Sequence, residues 1–356
     1  MMVEEPLSKP PEVSLFETSR GARIFQIPLQ EFPILWGYAY LVLLDDPQEG
    51  SYRVLIDSGS GFGDSNQHLE YGFQRISQII GQTIGLEHLT HVFITHGHID
   101  HFGGLTYVRP RTQARIGVHE LDLRNLTNYE ERLTIVARRL EAFLFEAGVS
   151  PGRHANLIEM YMLPKSLFHS IHVDFTYEAA GMRVGPFEFL HVPGHCAGHV
   201  VIRLHDVLFS GDHVLDGLSP HQSPEHLTLF TGLDHYLKSL DALEAWAGDA
   251  RITLGGHRGV ITDLPGRLNA IRQVHTKRLN SVLEILEQPH TISEVSHALF
   301  GDVHGYNVLL ALEETGAHVE YLAQRGRLRI SNLDEIEKNH NPVAIRYQKL
   351  ALNGEE

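Results

Sequence analysis

With Cys196 as its one cysteine in 356 residues, the chain cannot form an internal disulfide, so its fold must hold without cross-links. Long apolar runs are missing as well. Even Phe32 to Leu44 stops at Asp45-Asp46, short of the roughly 18 residues that a membrane-spanning helix needs. The opening stretch carries Glu4, Glu5, Pro10 and Pro11 where a secretory leader would need a continuous apolar core. These absences lead to the expectation of a cytoplasmic protein with no membrane association. Positive charge is scarce: 29 Lys and Arg face 44 Asp and Glu, a formal net charge of −15. Nucleic-acid affinity comes largely from cations neutralising phosphates, so that partner is disfavoured, with only a local basic groove left open.

What the chain has in quantity is hydrophobic residues, at 42%, and histidine, of which there are 25. The length suits one large catalytic domain with a smaller appendage. After an N-terminal extension over 1–20, strand-like runs Arg23–Ile27, Tyr38–Leu44 and Tyr52–Ile56 open a sheet, each bounded by Pro, Gly or Asp-rich turns. Phe73, Ile76 and Ile80 fall at helical spacing, and Leu89–Thr95 is a compact apolar strand that delivers the chain into His96. Helical periodicity over about 118–178, through Leu133, Val136, Leu140, Phe143 and Leu144, predicts a helical insertion. Strands then return at Met182–Val192, Val200–Phe209 and Arg251–Leu254, each leading into a polar cluster: Pro193-Gly194-His195, Ser210-Gly211-Asp212 and Gly255-Gly256-His257. From 266 to 331 three helical stretches and an edge strand at Arg325–Ile330 suggest a small winged-helix-like α+β module, followed by a polar tail over 332–356.

His96-Gly97-His98-Ile99-Asp100-His101 offers four nitrogen or oxygen ligands within six residues. One tetrahedral zinc with an open catalytic position cannot use them all, and the excess implies two ions. Paired cations can share a carboxylate while each keeps neutral imidazoles, which suits Zn and also Mn or Fe. Asp212 is the candidate bridge. The segments Thr95–His101, Pro193-Gly194-His195, Ser210-Gly211-Asp212 and Gly256-His257, with Leu55-Ile56-Asp57-Ser58-Gly59 ahead of them, resemble in order and spacing the motifs of the metallo-β-lactamase superfamily. The resemblance covers about 20–265. It implies an α/β fold, an αββα sandwich, with one ion on His96, His98 and His195, a second on Asp100, His101 and His257, and Asp212 shared. It also implies that Asp57 orients a ligand. His199 is expected to support a ligand rather than bind, and Cys196 to pack.

Two cations sharing a water would lower its pKa towards neutrality and polarise the bond it attacks, with Asp100 as the catalytic carboxylate that orients the water or takes its proton. The shared aspartate resembles the esterase, thioesterase, lactonase and nuclease branches, and argues against antibiotic hydrolysis. The expected substrate is a small acyl compound: a carboxylic ester, thioester or lactone. The alternative is a phosphodiester, as in an endoribonuclease whose C-terminal module resembles 266–331. Acidic and basic residues are balanced there, so a packing or dimer role is expected instead, and a homodimer is left open. Candidate substrate contacts are His221, Tyr236, Met160, Tyr161, Met162 and Phe168. A mononuclear iron oxygenase and a DNA-binding regulator are the remaining classes, distinguishable by one iron per chain or by duplex binding without turnover.

Overall fold

The computed structural model describes residues 11–33, 35–165, 168–339 and 343–350. Ten residues of the expected N-terminal extension and the end of the expected tail lie outside them. The first sheet has seven strands in chain order: β1 (Ser14–Glu17), β2 (Arg23–Phe32), β3 (Leu35–Asp46), β4 (Gly50–Ile56), β5 (His91–Phe93), β6 (Arg115–Val118) and β7 (Phe175–Thr176). β1 to β4 are antiparallel neighbours, and β4 to β7 run parallel. The expected extension is therefore partly within the sheet, since Ser14–Glu17 pairs with Arg23–Gln26 as an edge strand. The second sheet has six, β8 (Arg183–Val184), β9 (Phe187–His191), β10 (Val200–Leu204), β11 (Val207–Gly211), β12 (Ile252–Gly255) and β13 (Val260–Ile261). Met182–Val192 and Val200–Phe209, each read as one strand, are hairpins broken at Gly185 and His205, both of which take positive φ.

Alternation along the strands dictates the layering. Ile24, Tyr40, Val42, Val54, Ile56 and Phe93 meet Phe187, Phe189, Ile202, Phe209 and Leu254 between the sheets. The opposite parity of the first sheet, including Phe25, Ile27, Leu29, Leu41 and Leu55, faces outward onto α1 (Ser65–Ile80) through Leu69, Phe73 and Ile76. With both faces covered, each fully buried Leu, Ile or Phe contributes about 1.5–3 kcal/mol of transfer free energy. The short helices α2 (Ile99–Phe102) and α3 (Leu105–Val108) follow β5. The expected insertion is α4 (Glu120–Thr127), α5 (Tyr129–Glu146) and α6 (Pro151–Lys165). Beneath the second sheet α7 (Leu233–Trp246) and α8 (Leu264–Ile285) pack through Leu240, Leu243, Leu268 and Ile271, completing a helix, sheet, sheet, helix sandwich.

Beyond α8 come α9 (Ile292–Phe300), opened by a Thr291/Glu294 capping box, and α10 (Asn307–Gln324). The stretch after 332 is not simply a tail. It forms α11 (Leu333–Lys338) and returns so that β15 (Tyr347–Lys349) pairs antiparallel with β14 (Leu328–Ile330), its Tyr347 N–H donating to His290 O at 2.8 Å. Its polar sequence hid this because, among the described residues after 332, only Tyr347 reaches the apolar cluster. That cluster joins Leu140, Phe143 and Leu144 of α5 to Val282, Leu286, Leu309 and Leu312, so the insertion and the C-terminal helices share one core. Among the described residues no helix is long and apolar enough to cross a membrane.

Candidate metal centre

Every motif cluster sits just past the carboxyl end of a strand, where open sheets place their ligands. β4 delivers Asp57, β5 delivers Thr95 to His98, β9 leads to His195, β11 to Asp212 and β12 to His257. α2 then turns Asp100 and His101 back towards the same space. Gly256 permits this convergence: a Cβ there would lie 2.5 Å from both Asp212 Oδ1 and His101 Cε1.

Asp100, His101, Asp212 and His257 present ligand atoms all within 4.8 Å of one another, and so do His96, His195 and Asp212. His98 Nδ1 stands 3.2 Å from His96 Nε2, and its ring meets His195 edge-on at 4.6 Å. The carboxylate of Asp212 faces both groups: Oδ1 is 3.6 Å from His101 Nε2, while Oδ2 is 3.4 Å from His257 Nε2 and 4.0 Å from His195 Nε2. Asp100 Oδ2 completes the second group at 3.3 Å from His257 Nε2. Ligand atoms held at 2.0–2.2 Å around a tetrahedral ion stand about 3.3–3.6 Å apart, so these separations suit cations.

The outer nitrogens of four of the imidazoles are engaged. His101 Nδ1 donates to Asp57 Oδ2 at 2.8 Å, His195 Nδ1 to the His221 carbonyl at 2.8 Å, and His257 Nδ1 to the Trp36 carbonyl at 2.7 Å. His96 Nδ1 lies 3.0 Å from Thr95 Oγ1, whose proton goes to Asp57 Oδ2 at 2.8 Å. In the neutral form of each ring, the tautomers assigned from this network put the lone pair on the inward Nε2, the atom that would face a cation. His101 Nε2, His195 Nε2 and Asp212 Oδ1 are buried without a hydrogen-bond partner. An unsatisfied buried polar atom costs about 1–3 kcal/mol, and a bound cation would remove that cost at all three.

Electrostatics agree with this donor set. Burial, aided by neighbouring imidazoles, pushes His96, His98 and His195 below the usual histidine range, so they stay neutral. Burial opposes charge on His101 and His257 too, but Asp212 beside both, with Asp57 or Asp100, holds them well above it. The same pairs keep Asp212 and Asp100 below the carboxylate range despite burial. Cation uptake on the second group would therefore displace protons.

The sequence candidates fare differently. Asp57 is buried, in the left-handed region (φ 59°), and accepts from Thr95 N at 2.8 Å as well as from Thr95 Oγ1 and His101. His199 lies under the centre, stacked on His96 at 4.5 Å, its Nε2 accepting from Asp212 N at 3.1 Å. Cys196 is buried with its sulfur within 4.8 Å of His96 and His98 nitrogens, and burial keeps it a thiol. His221 faces the centre with its carbonyl, while its ring pairs with Glu313 at 3.0 Å. Tyr236 is not a substrate contact: it is fully buried in the core beneath the second sheet, its hydroxyl donating to His213 O at 2.9 Å. Phe168 is likewise core, packed where a Cβ on Gly103 would meet its ring at 2.7 Å. Met162 and Tyr161 are partly buried against the core of the first sheet, and Met160 reaches Gly305.

Two residues escaped the sequence reading. Asp122 of α4 is fully buried and accepts from Gly97 N, between His96 and His98, at 2.7 Å, with Asn125 Nδ2 on its other oxygen at 3.0 Å. An acid in a helix's first turn looks like ordinary dipole compensation, so nothing marked it. Glu31, at the end of β2, accepts from Ser60 N at 2.5 Å and Ser65 Oγ at 3.2 Å, tying β2 to the loop after Asp57. Burial, then Asp100, pushes its carboxyl up to about 8. A lone acid in the apolar run of β2 was its only signal.

The model of the metallo-β-lactamase superfamily matches residues 36–257. Over 290 residues the chain is 25% identical to the probable metallo-hydrolase YqjP of Bacillus subtilis, covering 77% of this chain and 85% of that protein. Over 244 residues it is 26% identical to an atrochrysone carboxyl ACP thioesterase of Cryptosporiopsis, covering 67% of this chain but only 56% of the thioesterase. A metallo-β-lactamase family protein of Thermus thermophilus superposes with a TM-score of 0.70 at 24% identity, over 92% of this chain and 98% of that one. A β-lactamase domain protein of Burkholderia ambifaria gives 0.68 at 21% identity, over 97% of each. At such identities the two structures speak for the fold alone.

Proposed function

This chain belongs to the metallo-β-lactamase superfamily and is a hydrolase; from that premise we propose that it holds two cations, zinc foremost with Mn or Fe as alternatives, and hydrolyses a carboxylic ester, thioester or lactone. The observation that carries the reading is Asp212, one carboxylate facing both groups of ligand atoms. His96, His98 and His195 would hold one ion, Asp100, His101 and His257 the other, and Asp212 would touch both. When bound, the pair would supply the positive charge that brings a water's pKa towards neutrality and polarises a carbonyl. The chain's own part is orientation. Asp57, Thr95 and the His221 and Trp36 carbonyls hold the imidazole tautomers. Asp100 is ionised at neutral pH, and so low a proton affinity suits aiming a water more than keeping its proton.

Similarity to a protein named as an acyl-carrier thioesterase supports the acyl substrate. Three helices and the strand β14, which takes its partner β15 from beyond residue 331, support a winged-helix-like reading of residues 266–331, with a packing role. Turnover of a chromogenic panel of aryl ester, thioester, lactone and bis(aryl)phosphodiester tests the proposal. Acyl hydrolysis is expected; cleavage of the phosphodiester alone would move the protein to the phosphodiesterase reading.

A further inference from the structure

His195 takes its orientation from a backbone carbonyl on a loop, and the loop between β11 and α7 has no strand of its own to hold it. Its ends are tied by Arg267 Nε donating to Leu215 O and Gly232 N donating to Gly194 O, and the stretch that carries His221 is held by α10. Glu314 Oε2 accepts from Gln222 N at 2.7 Å, Glu313 Oε2 meets His221 Nε2 at 3.0 Å, and about two turns further on Glu320 Oε2 accepts from Glu225 N at 2.7 Å. Positions 313, 316 and 320 share one helix face, and the bare Gly316 lets Pro224 lie against it, since a Cβ there would come within 2.8 Å of the proline ring. Arg278 of α8 neutralises Glu314 from behind through Oε1.

The loop is pinned at Ser219 as well. His318 Nδ1 donates to Glu314 O at 2.7 Å, which leaves its Nε2 to accept from His275 Nδ1 at 3.1 Å, and His275 Nε2 then accepts from Ser219 Oγ at 2.9 Å. His275, Glu314 and His318 bring their ligand atoms within 4.8 Å of one another, the spacing of a metal site. Yet every imidazole nitrogen is committed, and the guanidinium of Arg278 already occupies the carboxylate. The cluster is a hydrogen-bond relay from α10 to the loop.

We propose that Glu313 and Glu314 are positioning residues for the ligand His195, Glu313 acting through the His221 ring and Glu314 through the Gln222 backbone, so that the C-terminal helices complete the metal centre. The inference rests on the reading that His96, His98 and His195 hold a cation. It places the C-terminal unit in the function of the catalytic domain with no nucleic acid involved. Because Glu320 grips the same loop from the same helix but farther from His221, it separates positioning from plain loop anchoring.

The test is Co²⁺ titration of the metal-free chain, reading the affinity of each site by competition with a chromophoric chelator and its visible absorption. Wild type is expected to bind two Co²⁺ per chain. Glu314→Ala should weaken one site by about 10–100-fold, the usual effect of losing a group that orients a ligand, and leave the other unchanged. Glu314→Gln, whose amide oxygen can still accept from Gln222 N, should recover most of the loss. Glu320→Ala should lower stability and leave both affinities as in wild type. Glu313→Ala, at a partly exposed position, carries the same expectation as Glu314→Ala should the latter not fold. Wild-type affinity at both sites in Glu314→Ala and Glu313→Ala, or an equal loss in Glu320→Ala, would overturn the proposal. A third Co²⁺, lost in His318→Gln, would overturn the relay. A wild type that binds no Co²⁺ would sink the metal-centre reading instead.

Discussion

Replacing Asp57 with Asn keeps the shape of the side chain and removes one acceptor, and the network around it makes the consequence calculable. Asp57 Oδ2 accepts from both Thr95 Oγ1 and His101 Nδ1, while Oδ1 accepts from Thr95 N. An amide NH₂ at the Oδ2 position confronts the His101 proton and forces Thr95 Oγ1 to accept, which turns its own proton towards His96 Nδ1, 3.0 Å away. His101 and His96 are then both driven to the tautomer with hydrogen on Nε2, the nitrogen each must offer to a cation. In the other amide orientation the NH₂ faces the Thr95 N–H. Either way a hydrogen bond to a charged acceptor, worth about 1.5–3 kcal/mol, is exchanged for an opposed pair. One such loss per ligand corresponds to about a 10–100-fold fall in metal affinity at each site. Competition of Zn²⁺ between the protein and a chromophoric chelator measures it, with Asp57→Glu as a size control. If Asp57→Asn holds both ions as tightly as wild type, the tautomer argument is wrong.

Burial pushes His275 down to about 3, so below pH 6.5 the unfolded chain takes a proton there that the folded chain refuses, and stability falls with pH. Between pH 7.5 and 5.5 this costs about 1.4 kcal/mol, and urea unfolding of His275→Gln should show an acid-side slope shallower by that amount; an unchanged slope would remove His275 from the account. Gly104→Ala would drive a methyl to 2.0 Å from the Ser58 carbonyl oxygen, where the backbone is tied by Gly104 N to Gly59 O and Ser58 N to His101 O, both 2.7 Å. A loss of about 3 kcal/mol or more, roughly 6–12 °C in Tm, is expected, and a shift within 1 °C would show the turn to be looser than its hydrogen bonds imply. Stripping cations with a chelator should lower Tm, because ligand held at about 1,000 times its Kd contributes about 4 kcal/mol per site. The shift should reverse with added Zn²⁺; no shift on chelation would contradict a filled centre.

How much of this could be read from residues alone depended on whether a group acts through its own neighbours in the chain. The strands around Ile24, Val42 and Ile56 were legible because short, largely apolar runs bounded by turn residues mark strands buried on both faces. The ligand clusters stood out because each follows a strand directly. Asp122 did not, because its target, Gly97, is 25 positions away and joined to it only by the fold. Tyr236 misled for a related reason: an aromatic near the motifs in sequence sits on the helix under the second sheet, and there its ring fills core. The return strand β15 was hidden because a polar edge strand pairing with β14 across α11 has neither alternation nor a short turn to mark it.

The central claim is that one carboxylate joins two cations. Metal content per chain, determined on wild type and Asp212→Ala together with hydrolysis of aryl ester and thioester, tests it most directly. The account predicts two ions in wild type, with a lower content and loss of acyl hydrolysis in Asp212→Ala. One iron per chain with no hydrolysis, or full acyl turnover without Asp212, would contradict it.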